Sequence, residues 1–479
     1  MADTTKENGT GGKVQRAAER IELDAVSGLR FFATFFLVAG RAIETMWMDS
    51  GTEAEFLNLT LCTGLHIGAK DVVSFYYILS GFTMTWGYIS RDFDSHEVRW
   101  RYWVRRFARF YPDFAISTVV TFLVKQPWLF GCNSFGLGSW ISTGTSLFLF
   151  TAWYRFFPGT GYINGPVWFI VTLFWLWVFF PFLLEPVKNS FRTGGWSMFI
   201  VKMLVIWAVS LLPWVFISEE NVHYVRWGLR CFPLLRIPEF VLGMALALRV
   251  NQDKEEEDMD EEGSDKKKTD KEDSEIVPDA TTPLNPSSSS SSFHPRLLAP
   301  YLPIVGLTLS ISYYVYRVRT WPDGCTCLTW HWYECFGRIE NFDTKFAPIA
   351  LAVIYGVTTL DVCARGPDGT SCAAVSSRLG MLASWLWAFF TWPPFVKVGT
   401  WGLPIFLYQA MVNVLTQALL VDLHWGIESR CDPTDFTLSY AWFFWLFHIA
   451  MAYLVAFLMN NDGPIGYYIH SAVKSITPK

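Results

Sequence analysis

Five arginines crowd the stretch from Arg99 to Arg109: Arg99, Arg101, Arg105, Arg106 and Arg109, with no acid among them. Planar guanidinium forks of this kind suit phosphate oxygens. Beside an apolar helix the same cluster also suits a cytoplasmic topology anchor that holds lipid headgroups, and charge alone favours that placement role. Two more arginines, Arg30 and Arg41, lie inside an apolar run. They stand eleven residues apart, about 16 Å along a helix at about 1.5 Å per residue. Charged groups within a span are costly and usually face a polar interior. Arg30, near the inner end, can also snorkel to the interface; Arg41, nearer the outer half, reads as facing a cavity. Neither can serve as a general base near neutral pH.

That role needs another residue. His66, at the outer end of the next apolar run, is a candidate base beside Arg41, and an ordinary interfacial histidine is the alternative. His448 is the only other histidine within a span; His96, His294 and His470 fall at cytoplasmic or terminal positions, and His223, His331 and His424 on the outer side. Glu239 is a buried acid one turn from Arg236, on the same helix face. The pair reads as a structural ion bridge or as a contact to a bound substrate.

The elements that must position these groups are membrane helices. The chain has 479 residues, 52% of them hydrophobic and 18% aromatic. Its apolar residues come in runs of about 20, the length that crosses a bilayer. The 24 tryptophans and 19 tyrosines suit two interfacial belts. The predicted fold is all-α, a polytopic bundle of about ten spans with both termini cytoplasmic. The predicted spans run from about 29 to 48, 67 to 89, 114 to 130, 167 to 184, 198 to 217, 232 to 250, 298 to 316, 346 to 362, 403 to 420 and 441 to 459. The patch SLFLFTAWY, within 131–165, reads as re-entrant or interfacial, and 382–392 as a partly embedded segment stopped by Pro393-Pro394.

Residues 1–22 are predicted disordered and cytoplasmic, with no cleavable signal peptide. Residues 23–250 form the first part of the membrane domain and 298–460 the second, with a cytoplasmic tail at 461–479. Between them, 251–297 reads as a disordered acidic and Ser-rich cytoplasmic linker. From Asp253 to Asp279 it carries 14 acids and five lysines, and six serines follow at 287–292. Such a segment cannot build a packed core. It is either a phosphorylatable loop or a tolerated insertion. With a cytoplasmic N-terminus, Cys62, Cys132, Cys325, Cys327, Cys335 and Cys431 all fall outside, where disulfides are permitted, and the sequon at Asn58 falls there too. This argues for a secretory-pathway or plasma membrane. Cys325, Cys327, His331 and Cys335 could alternatively hold zinc, but their spacing matches no common zinc module, and no metal is expected.

Four motifs in order resemble the acyltransferase-3 family of integral membrane acyltransferases. LDAVSGLR (Leu23, Asp24, Gly28, Leu29, Arg30) resembles its LDGLRG-type start. LSGF (Leu79 to Phe82) followed by RRFARFYP (Arg105, Arg106, Arg109, Tyr111, Pro112) resembles its central pair. NGPVWF (Asn164 to Phe169) resembles NGPLWS, and RIPEFVLGM (Arg236 to Met244) resembles R-x-PEF-x-x-G. Four polar family positions are replaced. The catalytic His of the first helix aligns with Arg41, the Asp before LSGF with Ser74, the Glu after NGPLWS with Leu173, and a later His with Gln409.

The resemblance implies transfer of an acyl group, acetyl foremost, from acyl-CoA to a hydroxyl of a carbohydrate or lipid. No tightly bound cofactor is implied; acetyl-CoA is a co-substrate. Arg105, Arg106 and Arg109 would meet its phosphates, with Tyr111, Trp168, Arg236 and Glu239 as further donor contacts. Arg30, Arg41 and His66 would form the catalytic group. Membrane lipids are expected partners and nucleic acid is not. The alternative is a catalytically lapsed relative that binds lipid, transports or scaffolds on the same fold.

Overall fold

The computed structural model describes residues 23–47, 61–124, 137–153, 167–192, 194–215, 228–229, 231–272, most of 301–312, 346–364, 378–422, 438–460 and 463–476. The regular structure among them is helical, in thirteen helices. They are α1 (Asp24–Trp47), α2 (Leu61–Tyr88), α3 (His96–Val124), α4 (Leu137–Leu147), α5 (Val167–Phe191), α6 (Trp196–Val215) and α7 (Pro233–Glu272). After these come α8 (Ala347–Ala364), α9 (Arg378–Phe390), α10 (Pro393–Gly399), α11 (Gly402–Asp422), α12 (Leu438–Met459) and α13 (Pro464–Ile476). The all-α expectation holds. Among the described residues two helices, α3 and α5, are long and apolar enough to cross a membrane, and α6 and α8 contain shorter apolar stretches, Trp196–Leu212 and Ala347–Val362. On α6, Met198, Ile200, Val201, Leu204, Val205, Val209 and Leu212 are all exposed. An apolar stripe of that length is tolerable only where the surroundings are themselves apolar.

The tightest crossing joins α2 and α7. A Cβ on Gly81 would lie 2.0 Å from the Phe240 carbonyl oxygen, and one on Gly243 would lie 1.8 Å from that of Ile78. Each glycine thus lets the opposing backbone into the space a side chain would fill, the small-residue packing of membrane helices. The glycines of LSGF and RIPEFVLG are therefore two halves of one contact. A second close approach seats α1. Gly28 faces the Phe390 carbonyl and Gly399 faces that of Ser27, at 1.8 and 1.9 Å for an added Cβ. Around it Phe31, Phe32, Phe389 and Phe395 interlock, with Phe31 stacked on Phe395 at 4.6 Å between centroids.

Three sequence expectations change. The Arg-rich segment and the span predicted from 114 are one helix, α3, with Pro112 inside it. The missing amide of Pro112 costs one backbone bond, yet Phe110 and Phe114 on either side are buried and carry the helix through. Residues 251–272, expected as the start of a disordered linker, continue α7 to Glu272. Asp253 is buried there, ion-paired to Arg249 at 2.7 Å and accepting from the Tyr355 hydroxyl at 2.9 Å. Pro393 and Pro394 do more than end the preceding segment: they open α10 at its first turn, where a fixed φ is an asset. In addition, the predicted tail contains a helix, α13.

Residues 1–22, 273–300 and the loop carrying Cys325, Cys327, His331 and Cys335 lie outside the described residues. So do Asn58, Cys132 and Cys431.

Candidate active site

Two polar groups form inside the bundle, on either side of an aromatic wall. The first is cationic. Arg30 of α1 is half-buried. Arg106 and Arg109 of α3 come near enough for their charges to repel it, and Tyr76 is also among its electrostatic neighbours. The Tyr76 hydroxyl donates to the Arg30 carbonyl at 3.2 Å and is hydrogen-bonded to the Thr34 hydroxyl. The Thr34 hydroxyl also lies 2.7 Å from the Arg30 carbonyl, so the two hydroxyls and the carbonyl form one cluster that shares two protons. The backbone of α1 at Arg30 is therefore held from α2, and its side-chain charge lies within the field of the α3 arginines. Gly402, the first residue of α11, lies against the Thr34 hydroxyl, 3.0 Å from an added Cβ.

Helical spacing sorts the arginines of α3. Arg106 is half-buried, its guanidinium over the rings of Trp177 at 5.6 Å and Tyr88 at 5.9 Å. Arg109, one turn on, is exposed, though its charge still acts on Arg30. Arg105 is exposed, Arg101 pairs with Glu97, and Arg99 lies over Phe182 at 5.5 Å. Arg106 is therefore the member of the cluster seated in the aromatic lining, with Arg105 and Arg109 at its exposed edge. Tyr111 is committed elsewhere: its hydroxyl donates to the Leu147 carbonyl at 3.2 Å and ties α4 to α3.

The second group is a buried ion pair. Arg236 Nη1 and Glu239 Oε1 are 2.8 Å apart, and the two residues are 2% and 1% exposed. At such depth a lone charge would be prohibitive. The Ser74 hydroxyl donates to the same Glu239 oxygen at 3.0 Å, and the Arg236 guanidinium lies over the Tyr77 ring at 5.5 Å. Ser74 is the position aligned with the family's Asp. A neutral hydroxyl there avoids placing two carboxylates face to face. Trp168 is buried at the start of α5, edge-on to Phe169 at 6.1 Å. Phe169 in turn touches Tyr76, Tyr77 and Phe406, at 5.8, 5.1 and 4.9 Å between centroids. It forms the wall between the two groups.

Arg41 falls on α1 and His66 on α2; their side chains lie outside the described residues. Leu173 and Gln409 are both buried.

Sequence reading missed several polar residues. Asp361 of α8 is fully buried, accepts the Ala25 amide at 3.2 Å and takes the Trp387 indole N–H at 3.3 Å. It caps the N-terminus of α1 from another helix, where a carboxylate also complements the dipole. Asp113 of α3 is buried and is an electrostatic neighbour of Tyr408 on α11. Both acids sit at the edge of apolar runs, and that position was the available signal. Among the described residues no group of three or more His, Cys, Asp or Glu could hold a metal ion.

Residues 23–257 match the acyltransferase domain family Acyl_transf_3. A 238-residue segment, 48% of the chain, is 27% identical to the acyltransferase MdmB of Streptomyces mycarofaciens. That match spans 57% of the relative's length. No solved structure matches the chain. The matched region contains the LDAVSGLR, LSGF, RRFARFYP, NGPVWF and RIPEFVLG motifs, both polar groups' principal arginines and the glycine crossing that seats them. Through these motifs, residues 23–257 of the chain form an acyltransferase-3 family domain.

Proposed function

We propose that the protein is a multi-pass membrane acyltransferase that moves an acyl group, acetyl foremost, from acyl-CoA to a hydroxyl of a carbohydrate or lipid. The observation that carries the reading is the convergence of Arg30 with Arg106 and Arg109. Like charges brought together repel, and an anion placed among them relieves that cost. The phosphates of a CoA donor supply such an anion at the inner face, with Arg105 at the exposed rim. Arg30, and Arg41 further along the same helix, would stabilise the oxyanion that develops on the thioester carbonyl. The acceptor would enter from the outer side, in a plasma or secretory-pathway membrane, with about ten spans and both termini cytoplasmic. A proton acceptor is still required, and His66 and His448 are the imidazoles at membrane level.

The second reading is a lapsed enzyme on the same fold. The contact between Ser74 and Glu239 favours it, since a family acid has become a structural hydroxyl. One experiment separates the two readings. The purified protein is reconstituted in liposomes, and release of the CoA thiol from acetyl-CoA is followed with and without polyol and glycolipid acceptors. Acceptor-dependent release supports transfer. Tight acetyl-CoA binding with no release supports the lapsed reading.

A further inference from the structure

The interface of α12 with α1 and α11 contains a buried polar seam that neither group above uses. Two contacts set its register against α1. The Trp445 indole donates to the Ala39 carbonyl at 3.1 Å, and the Tyr453 ring lies 6.2 Å from that of Phe31. The helices therefore run antiparallel. His448, between Trp445 and Tyr453, comes level with the part of α1 between Arg41 and Arg30. The same face of α12 meets α11: Ala452 and Ala456 share a core with Val38, Ile405 and Val412. His448 is one turn before Ala452, and Gln409 lies between Ile405 and Val412, so both face the seam.

The seam is apolar except for its polar atoms, and those are unsatisfied. His448 is 1% exposed and Gln409 3%. Neither ring nitrogen of His448 has a hydrogen-bond partner among the described residues, nor do Gln409 Oε1 or the Tyr453 hydroxyl. Buried polar groups are normally paired, and unpaired ones call for an explanation. At its inner end the seam reaches the cationic group, because Tyr453 is an electrostatic neighbour of Tyr76, which holds Arg30.

We propose that this seam receives the acceptor hydroxyl and that His448 takes its proton. The inference rests on the acyl-transfer reading above. The hydroxyl donates to a ring nitrogen of His448 while Gln409 Oε1 and the Tyr453 hydroxyl orient the acceptor's other polar atoms. The oxygen attacks the thioester carbonyl as its proton passes to His448. The tetrahedral intermediate then breaks its C–S bond, the leaving CoA sulfur recovers the proton from the imidazolium, and ester and free thiol depart. No residue of the α1 arginine pair can perform that proton step.

The test uses the full-length protein in liposomes, acetyl-CoA as donor, and two nucleophiles: water, which needs a base, and hydroxylamine, whose neutral nitrogen attacks without one. His448→Gln keeps a polar group of similar size but cannot take a proton. It should lower enzyme-dependent hydrolysis by about a hundredfold or more, with hydroxylamine attack far less affected and acetyl-CoA binding within about twofold of wild type. Hydrolysis within about threefold of wild type, or an equal fall with both nucleophiles, overturns the assignment and leaves acyl transfer standing. Wild-type protein that binds acetyl-CoA and consumes none with water, hydroxylamine or the polyol and glycolipid acceptors removes the acyl-transfer reading and this inference together. If His448→Gln does not elute as folded protein, His448→Asn is judged by the same comparison.

Discussion

The Ser74 hydroxyl and Arg236 Nη1 donate to one oxygen of Glu239, at 3.0 and 2.8 Å. Both helices that carry these groups are fixed by the glycine crossing a turn or two away, so the triad is preset. Replacing Ser74 with Ala removes one donor from a buried carboxylate and should cost about 1–3 kcal/mol. Ser74→Asp should cost more, because two carboxylates would then compete for one guanidinium. Thermal unfolding in detergent gives the ranking. An aspartate variant at least as stable as wild type would mean that Glu239 has room or charge to share.

The crossing itself makes a sharper prediction. Gly81→Ala and Gly243→Ala each put a methyl group inside 2.0 Å of a backbone carbonyl oxygen. Backbone cannot give way as a side chain can, so α2 and α7 must separate and folded yield should collapse. Gly87, on the same helix as Gly81, has nothing within 4 Å of an added Cβ, and Gly87→Ala should be silent. Equal yields for the three variants, by size-exclusion of solubilised protein, would contradict the packing.

Capping across helices can be tested separately. Asp361→Ala should destabilise α1 by about 1–2 kcal/mol through the lost Ala25 bond. Asp361→Asn should recover part of that, because it retains an oxygen acceptor but not the charge that complements the dipole. Hydrogen exchange at residues 25–28 reads the effect locally. Exchange there unchanged in both variants would reassign Asp361 to packing alone.

Topology has its own test. Inner-face arginines and outer-face cysteines predict that residues 251–297 are cytoplasmic and the loop carrying Cys325 is not. Protease added outside intact cells or sealed microsomes should spare the linker. Cutting there with the membrane unbroken would invert the arrangement.

Much of this was legible in the sequence because the informative residues are also local. LSGF and RIPEFVLG read as motifs before they were seen as one contact, since close approach of two backbones needs glycine on both sides. The ion pair of Arg236 and Glu239 was readable from helical spacing alone. Relations between distant helices were not. Nothing near Asp361 in sequence says that it caps α1, and nothing near Ser74 says that it faces Glu239. The inward turn of Arg106 and the exposed position of Arg105 depend on where Trp177 and Tyr88 stand. Burial of Asp253 was hidden by the acidic run that follows it, whose average charge masked one ion-paired residue.

The account turns on whether Arg106 and Arg109 hold the donor. Acetyl-CoA binding to wild type and to the Arg106→Gln, Arg109→Gln double variant, each inserted in liposomes, measures this directly. Each lost charge-assisted contact should weaken binding by more than about 1 kcal/mol, so the pair should lose tenfold or more, while the remaining positive charges preserve insertion. Binding unchanged in a correctly inserted double variant would contradict the account and return Arg106 and Arg109 to the role of membrane anchors.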